Sequence, residues 1–344
     1  MTVAASSVDT KILYSRLCRI GFNRPFVRSN GLPEWWTDEC DALPDAPATI
    51  ATYLSRRFNL DFDWLLNPDL AEQERILPFK KSGRIHYKTT NKQDVPSEPD
   101  VASSMARRVA ELVAFSSTTD YEPIEGMTSY GIRESILKQG KVVTLESLLG
   151  FCQAKGVPVI HFANFPKKAK RFQGMVTRCG HRPVVVLALQ DLSPSRLAFI
   201  LAHELGHIAL EHLHENEAIS DEVIKPDAQN DQQESSANGF ATELILGRPD
   251  NFYCFHENMN PGYLTKLADQ RAKWDKVDPG AIAWNYAWQG GKWGVARKAI
   301  NCIEQDANAP LLINQELHPQ LDPNRLSEDN QDYLILALKL DEYD

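Results

Sequence analysis

The sequence predicts an α+β protein, and three observations predict it. Short apolar runs suited to buried strands cluster between residues 157 and 189. Directly after them comes a capped, almost wholly apolar helix that carries three ionisable side chains. Helical periodicity, without strand-like alternation, dominates both ends of the chain.

With 344 residues the chain has length for two or three domains, and the expected division is 1–95, 96–250 and 251–344. A formal net charge of −9 argues against a protein held to nucleic acid by bulk electrostatics. The N-terminus lacks a basic region followed by an apolar core, so no signal peptide is expected. No apolar run reaches the eighteen or so residues a membrane span needs. The 6 cysteines are scattered, with no C-x-x-C pair, which suits reduced thiols. The expected location is the cytoplasm.

The first unit, 1–95, is expected to be helical. Its helices are Asp9 to Arg19, Pro47 to Phe58 (with Ile50, Ala51, Tyr53 and Leu54 on one side) and Asp61 to Leu66. Trp35 and Trp36 are expected as apolar anchors, and a strand from Arg84 to Thr89 should close the unit. Thr90 to Asp100 has the composition of a linker. The unit bears a faint likeness to helix-turn-helix domains, but no recognition helix is visible. Arg56 and Arg57 form the only adjacent basic pair in a predicted helix. An exposed, solvated face is the favoured reading there, and nucleic-acid contact through residues 1–70 is disfavoured.

The middle unit begins with a helix. Val101, Met105, Val109, Leu112 and Val113 recur at i, i+4, i+8, i+11 and i+12. Thr144 caps a second, closed by Gly156 in the position that favours a left-handed residue. Val157 to Phe162 reads as a buried strand, with His161 as a packing residue. Gly174 to Arg178 and Val184 to Leu189 read as two strands joined at Gly180, and the basic run 167–171 as a solvated loop. Gly174 to Arg178 is expected at an exposed sheet edge, where an extended peptide could add as a further strand.

The chemistry is expected in SPSRLAFILAHELGHIALEHL, residues 193–213. Pro194 suits the first helical position and Ser193 the N-cap before it. The helix is apolar on nearly every side, so it belongs inside a domain. His203, Glu204 and His207 would then be buried, at roughly several kcal/mol if left without partners. Four residues apart, His203 and His207 project from one face and can ligate one zinc ion, with Glu204 beside them as general base. The rival reading is a pair of core histidines bonded to backbone.

A catalytic zinc takes three protein ligands and leaves a position for water. The glycine and histidine of a third-histidine pattern would fall at Leu210 and Leu213, which excludes that pattern. After the helix, 212–233 is polar and acidic and reads as a loop. A second helix follows, with Ala237, Phe240, Ala241 and Leu244 at helical spacing, and Gly247 ends it. Glu234, in its first turn, is the favoured third ligand; Asp221, Glu222 and His214 stay open as alternatives.

HELGHIAL (His203 to Leu210) followed by E-x-x-A-N-x-F-A (Glu234 to Ala241) resembles the ImmA/IrrE family of metallopeptidases. The preceding run from Val142, including QGM and RPVVVL, is also similar. The resemblance implies a zincin-like core, a single zinc ion (Zn2+, with Mn2+ and Fe2+ left open), and ligands His203, His207 and Glu234 with Glu204 as catalytic base. It further implies a protein substrate of the helix-turn-helix repressor kind, in a stress or phage response. Ser236 departs from the family, where many relatives carry a second acidic residue, and the flanking regions are long. Rival functions are a zinc-binding sensor with little proteolysis and a DNA-binding regulator.

The last unit, 251–344, is expected to be helical, with Trp274, Trp284, Trp288 and Trp293 as packing residues. Ser327 should cap a final helix. His212, His214 and Tyr253 are candidates to stabilise a developing oxyanion.

Overall fold

A computed structural model describes residues 8–67, 79, 84–88, 101–214, 217–221, 231–249, 253 and 259–343. Among them, the N-terminal helices are α1 (Thr10–Arg19), α2 (Ala46–Arg57) and α3 (Phe62–Leu66). Asp9 and Asp61 cap α1 and α3 by accepting from the backbone N–H of Ile12 and Trp64. Leu13, Leu17, Ile50, Leu54 and Leu65 are buried together, around Phe22 stacked on Phe58 with ring centroids 5.0 Å apart. Trp36 is buried and donates its indole N–H to Asp41, but Trp35 is 61% exposed, its ring tilted against that of Trp36 at 5.7 Å. Arg57 also departs from expectation. It is buried and donates to Asp329, near the opposite end of the chain, so only Arg56 of that basic pair faces solvent.

The centre is a sheet of five strands: β1 (Arg84–Lys88), β2 (Val159–His161), β3 (Gly174–Cys179), β4 (Arg182–Leu187) and β5 (Glu217–Asp221), in the order β1-β5-β3-β4-β2. β3 runs antiparallel to both β4 and β5; β1 is parallel to β5 and β2 to β4. The hairpin β3–β4 turns at Gly180, whose φ of 63° lies in the left-handed region, as its sequence predicts.

Three expectations fail here. β1 extends the central sheet and does not close the N-terminal unit. The acidic stretch read as a loop contains β5. And β3 is an interior strand, paired on both sides, not an exposed edge. Sheet order is a property of pairing between distant segments, which local alternation cannot report.

Alternate side chains of the sheet point to opposite faces, and each face has its own core. Met175, Val184, Val186 and Ala218 pack toward α4 (Val101–Ser116), in the same apolar cluster as the N-terminal helices. Val176, Val185, Leu187 and Ile219 pack toward a second cluster. That cluster includes α5 (Ser129–Leu137), α6 (Leu145–Ala154), α7 (Pro194–Ala209) and α8 (Gln232–Leu246). Thr144 caps α6 through a reciprocal pair of bonds with Ser147, and Gly156 beyond it has a φ of 62°.

The C-terminal helices are α9 (Pro261–Asp275), α10 (Pro279–Gly290), α11 (Trp293–Ile303), α12 (Ala309–Leu317) and α13 (Glu328–Leu338). Trp284 is buried as expected, but Trp274 is 84% exposed and packs into no core. The class is thus α+β: a small mixed sheet with α4 on one face and α7 on the other, and helical regions at both ends. Among the described residues no helix is long and apolar enough to cross a membrane.

Candidate metal centre

α7 begins as its sequence dictates. Pro194 occupies the first turn, and the Ser193 hydroxyl accepts from the Arg196 N–H at 3.2 Å. Three turns on, His203, Glu204 and His207 are completely buried. α8 comes close to this stretch because the facing residues are small. A Cβ added to Gly206 would lie 3.3 Å from the Cα and carbonyl oxygen of Ala237. That proximity brings the first turn of α8, with Glu234, over the two histidines. Asp231 caps α8, accepting from the N–H groups of Gln233 and Glu234.

Four side chains converge. The Nε2 atoms of His203 and His207 are 3.1 Å apart. Glu234 places Oε2 3.4 Å from His203 Nε2 and Oε1 3.4 Å from His207 Nε2. Asp221, the last residue of β5, places Oδ2 at 3.3 Å and 3.6 Å from the same two nitrogens. All four donor atoms lie within 4.8 Å of one another, so the group could hold a metal ion. Bonds of about 2.0–2.1 Å to a tetrahedral ion put its donor atoms about 3.3–3.4 Å apart, close to the 3.1–3.6 Å that separates the two Nε2 atoms from each other and from the carboxylates.

The chemistry of the cluster also asks for a cation. Both carboxylate oxygens of Asp221, both of Glu204 and Oε1 of Glu234 are buried and accept no hydrogen bond. Three carboxyl groups packed around two imidazoles carry excess negative charge in a place water does not reach, and an ion removes that cost. The rival reading fails on the same geometry, since the Nε2 atoms face carboxylates and not backbone.

The ring nitrogens on the far side are held. His203 Nδ1 lies 3.0 Å from Asn238 Oδ1, one turn beyond Glu234 on α8. His207 Nδ1 lies 3.0 Å from His212 Nδ1, and His212 Nε2 is 3.5 Å from the Ser236 hydroxyl. With Nδ1–H donating outward, each ring keeps the lone pair of Nε2 for the centre.

Glu204 is positioned by a missing side chain. A Cβ on Gly174 would fall 2.1 Å from Glu204 Oε1 and 2.9 Å from the Ile200 side chain, so only glycine leaves room for the carboxyl group. Burial, with the charge of Asp221 beside it, pushes the Glu204 carboxyl well above the ordinary range, which suits a group that takes up a proton. Burial would raise Glu234 too, but the imidazoles of His203 and His207 hold it below the ordinary carboxylate range. His203, which burial alone would lower, is pushed up to about 10 by Asp221 and Glu234.

The structure brings together all four residues the sequence pointed to, His203, Glu204, His207 and Glu234, and adds Asp221 to them. Asp221 stood among the alternatives for the third ligand, but its acidic neighbourhood reads as loop and hides the strand that delivers it. His214 is exposed and outside the cluster, and Glu222 lies outside the described residues. The candidates for oxyanion stabilisation are engaged elsewhere. His212 bonds His207 on the side away from the centre, and the Tyr253 hydroxyl donates to Asp275 at 2.9 Å.

No curated protein matches the chain. The family model of the IrrE N-terminal-like domain matches residues 152–268, from the end of α6 through strands β2 to β5, α7 and α8 into α9. The segment that builds the cluster is therefore similar to the IrrE N-terminal-like domain, a peptidase-type family.

Proposed function

We propose that the chain is a zinc-dependent endopeptidase that hydrolyses a peptide bond in a regulatory protein. The observation that carries this reading is the Nε2 pair of His203 and His207, faced by Glu234, with the buried Glu204 carboxyl in the turn between them. In it, His203, His207 and Glu234 hold the ion and the unit 96–250 bears the chemistry. Zinc is favoured over manganese or iron by a donor set of two imidazoles and carboxylate. A zinc ion bound there supplies polarisation of the scissile carbonyl and acidification of a water molecule. Glu204 accepts the proton of the attacking water and delivers it to the leaving amine; its raised pKa keeps that proton available for the second transfer. Asn238 and His212 hold the imidazoles in the tautomer and orientation that ligation requires.

Within the ImmA/IrrE resemblance, the substrate is a helix-turn-helix repressor in a stress or phage response, and the setting is the cytoplasm. DNA contact by residues 1–70 is the less favoured role, since Arg57 is turned into the core. A second reading, a zinc-binding sensor with little proteolysis, is favoured by one observation: Asp221 crowds the fourth side of the cluster.

Glu204→Gln separates the two. In an endopeptidase it retains one zinc per chain by elemental analysis and loses cleavage of a co-encoded repressor by about 100-fold or more. If the variant cleaves at the wild-type rate, Glu204 is not the base.

A further inference from the structure

The position of Asp221 bears on how the proposed peptidase site is regulated. Asp221 and Gly174 are register partners across β5 and β3. Partners in adjacent strands direct their side chains to one face, with Cβ positions about 4.5–5.5 Å apart. The space that a side chain of Gly174 would fill holds the Glu204 carboxyl. Asp221 therefore stands next to Glu204 and, at the same time, reaches both histidine Nε2 atoms with Oδ2. A water molecule that met an ion held by His203, His207 and Glu234 and handed its proton to Glu204 would have to enter on this same side of the cluster.

Asp221 is fixed there by backbone and not by side-chain bonds. β5 is zipped to β3 on one side and to β1 on the other, and Gln173 donates its N–H to the Asp221 carbonyl at 2.8 Å. The carboxylate itself is 1% exposed as a residue, and neither oxygen accepts a hydrogen bond. A buried anion with no donors and two imidazole nitrogens in front of it has the character of a ligand awaiting its ion. The same pairing covers the edge of β3 nearest Glu204, so an extended peptide has no unpaired strand to join there.

We infer that Asp221 is a fourth protein ligand which fills the coordination position hydrolysis needs for water, so that this fold is a closed, latent form of the site. Turnover then requires Asp221 to leave the ion. The inference rests on the metallopeptidase reading of the same cluster, and its test is independent of cleavage.

The probe is Co2+ in place of zinc in the full chain, read by visible absorption, with acetohydroxamate as an added ligand. In the wild type the cobalt spectrum should be unchanged by millimolar acetohydroxamate, because no exchangeable position exists. In Asp221→Ala the spectrum should shift with acetohydroxamate, and affinity for Co2+ should fall by about tenfold or more. Asp221→Asn preserves shape and strand pairing, and should show the same loss of affinity if the alanine variant does not fold. Identical spectra and identical hydroxamate responses in wild type and variants would overturn the inference. Failure of every variant to cleave protein, with hydroxamate binding opened by Asp221→Ala, would count against the peptidase reading and leave the ligand assignment standing.

Discussion

The two ends of α7 solve the burial of charge in opposite ways. At its N-terminal end the charges meet partners within the chain, although Glu304 keeps one buried oxygen, Oε2, that accepts no hydrogen bond. The Arg196 guanidinium lies over Trp284 and Trp293, 5.0 Å and 5.4 Å from their ring centroids. The Ser195 N–H donates to Glu304, and the Trp284 indole donates to the Ser193 hydroxyl, both at 3.0 Å. Cation over aromatic face, and carboxylate at a helix start, are arrangements that hold charge without a bound ion. At the other end, Glu204, Asp221 and Glu234 have carboxylate oxygens buried without donors. The first end is an anchor with one buried carboxylate oxygen left over; the second gathers five such oxygens around two imidazoles, in the one arrangement of the two that could hold a metal ion. One helix thus carries both the mounting of the site and the site.

Two substitutions test whether the ends are separate. Trp284→Ala removes the ring shared by Arg196 and the Ser193 cap. It should cost about 3–5 kcal/mol of folding stability in a denaturant titration while leaving zinc affinity unchanged. A parallel fall in zinc affinity would show that anchor and site are one unit. Asn238→Leu acts at the other end with a smaller effect. By freeing His203 Nδ1 it should weaken zinc about 10–100-fold in a chelator competition. Unaltered affinity there would mean that Asn238 does not orient the ring.

The contrast also marks what was legible in the sequence. α7 was readable because cap, apolar run and the i, i+4 histidines all act within one helix, and the same holds for Glu234 and Gly247 on α8. Sheet order was not, because it depends on β1 and β5, contributed from segments far apart and neither strongly alternating. Asp221 was obscured for the same reason. An aspartate at the end of five residues, EAISD, in acidic surroundings has no local sign of burial; only pairing with β3 opposite Gly174 gives it one. Gly174 itself reads as a strand start, and its purpose, room for Glu204, emerges only when α7 is packed across β3. Exposure of Trp35 and Trp274 likewise depends on partners that a list of large apolar residues does not supply.

The central claim is that His203, His207 and Glu234, with Asp221, hold a single metal ion. Elemental analysis of the purified chain combined with X-ray absorption at the zinc edge tests it directly. The account predicts one zinc per chain, about two imidazoles and the remaining donors oxygen at about 2.0–2.2 Å, with no sulfur. It also predicts loss of the bound zinc in His207→Ala. A chain that binds no stoichiometric metal, or binds it with sulfur or without imidazole, would contradict it.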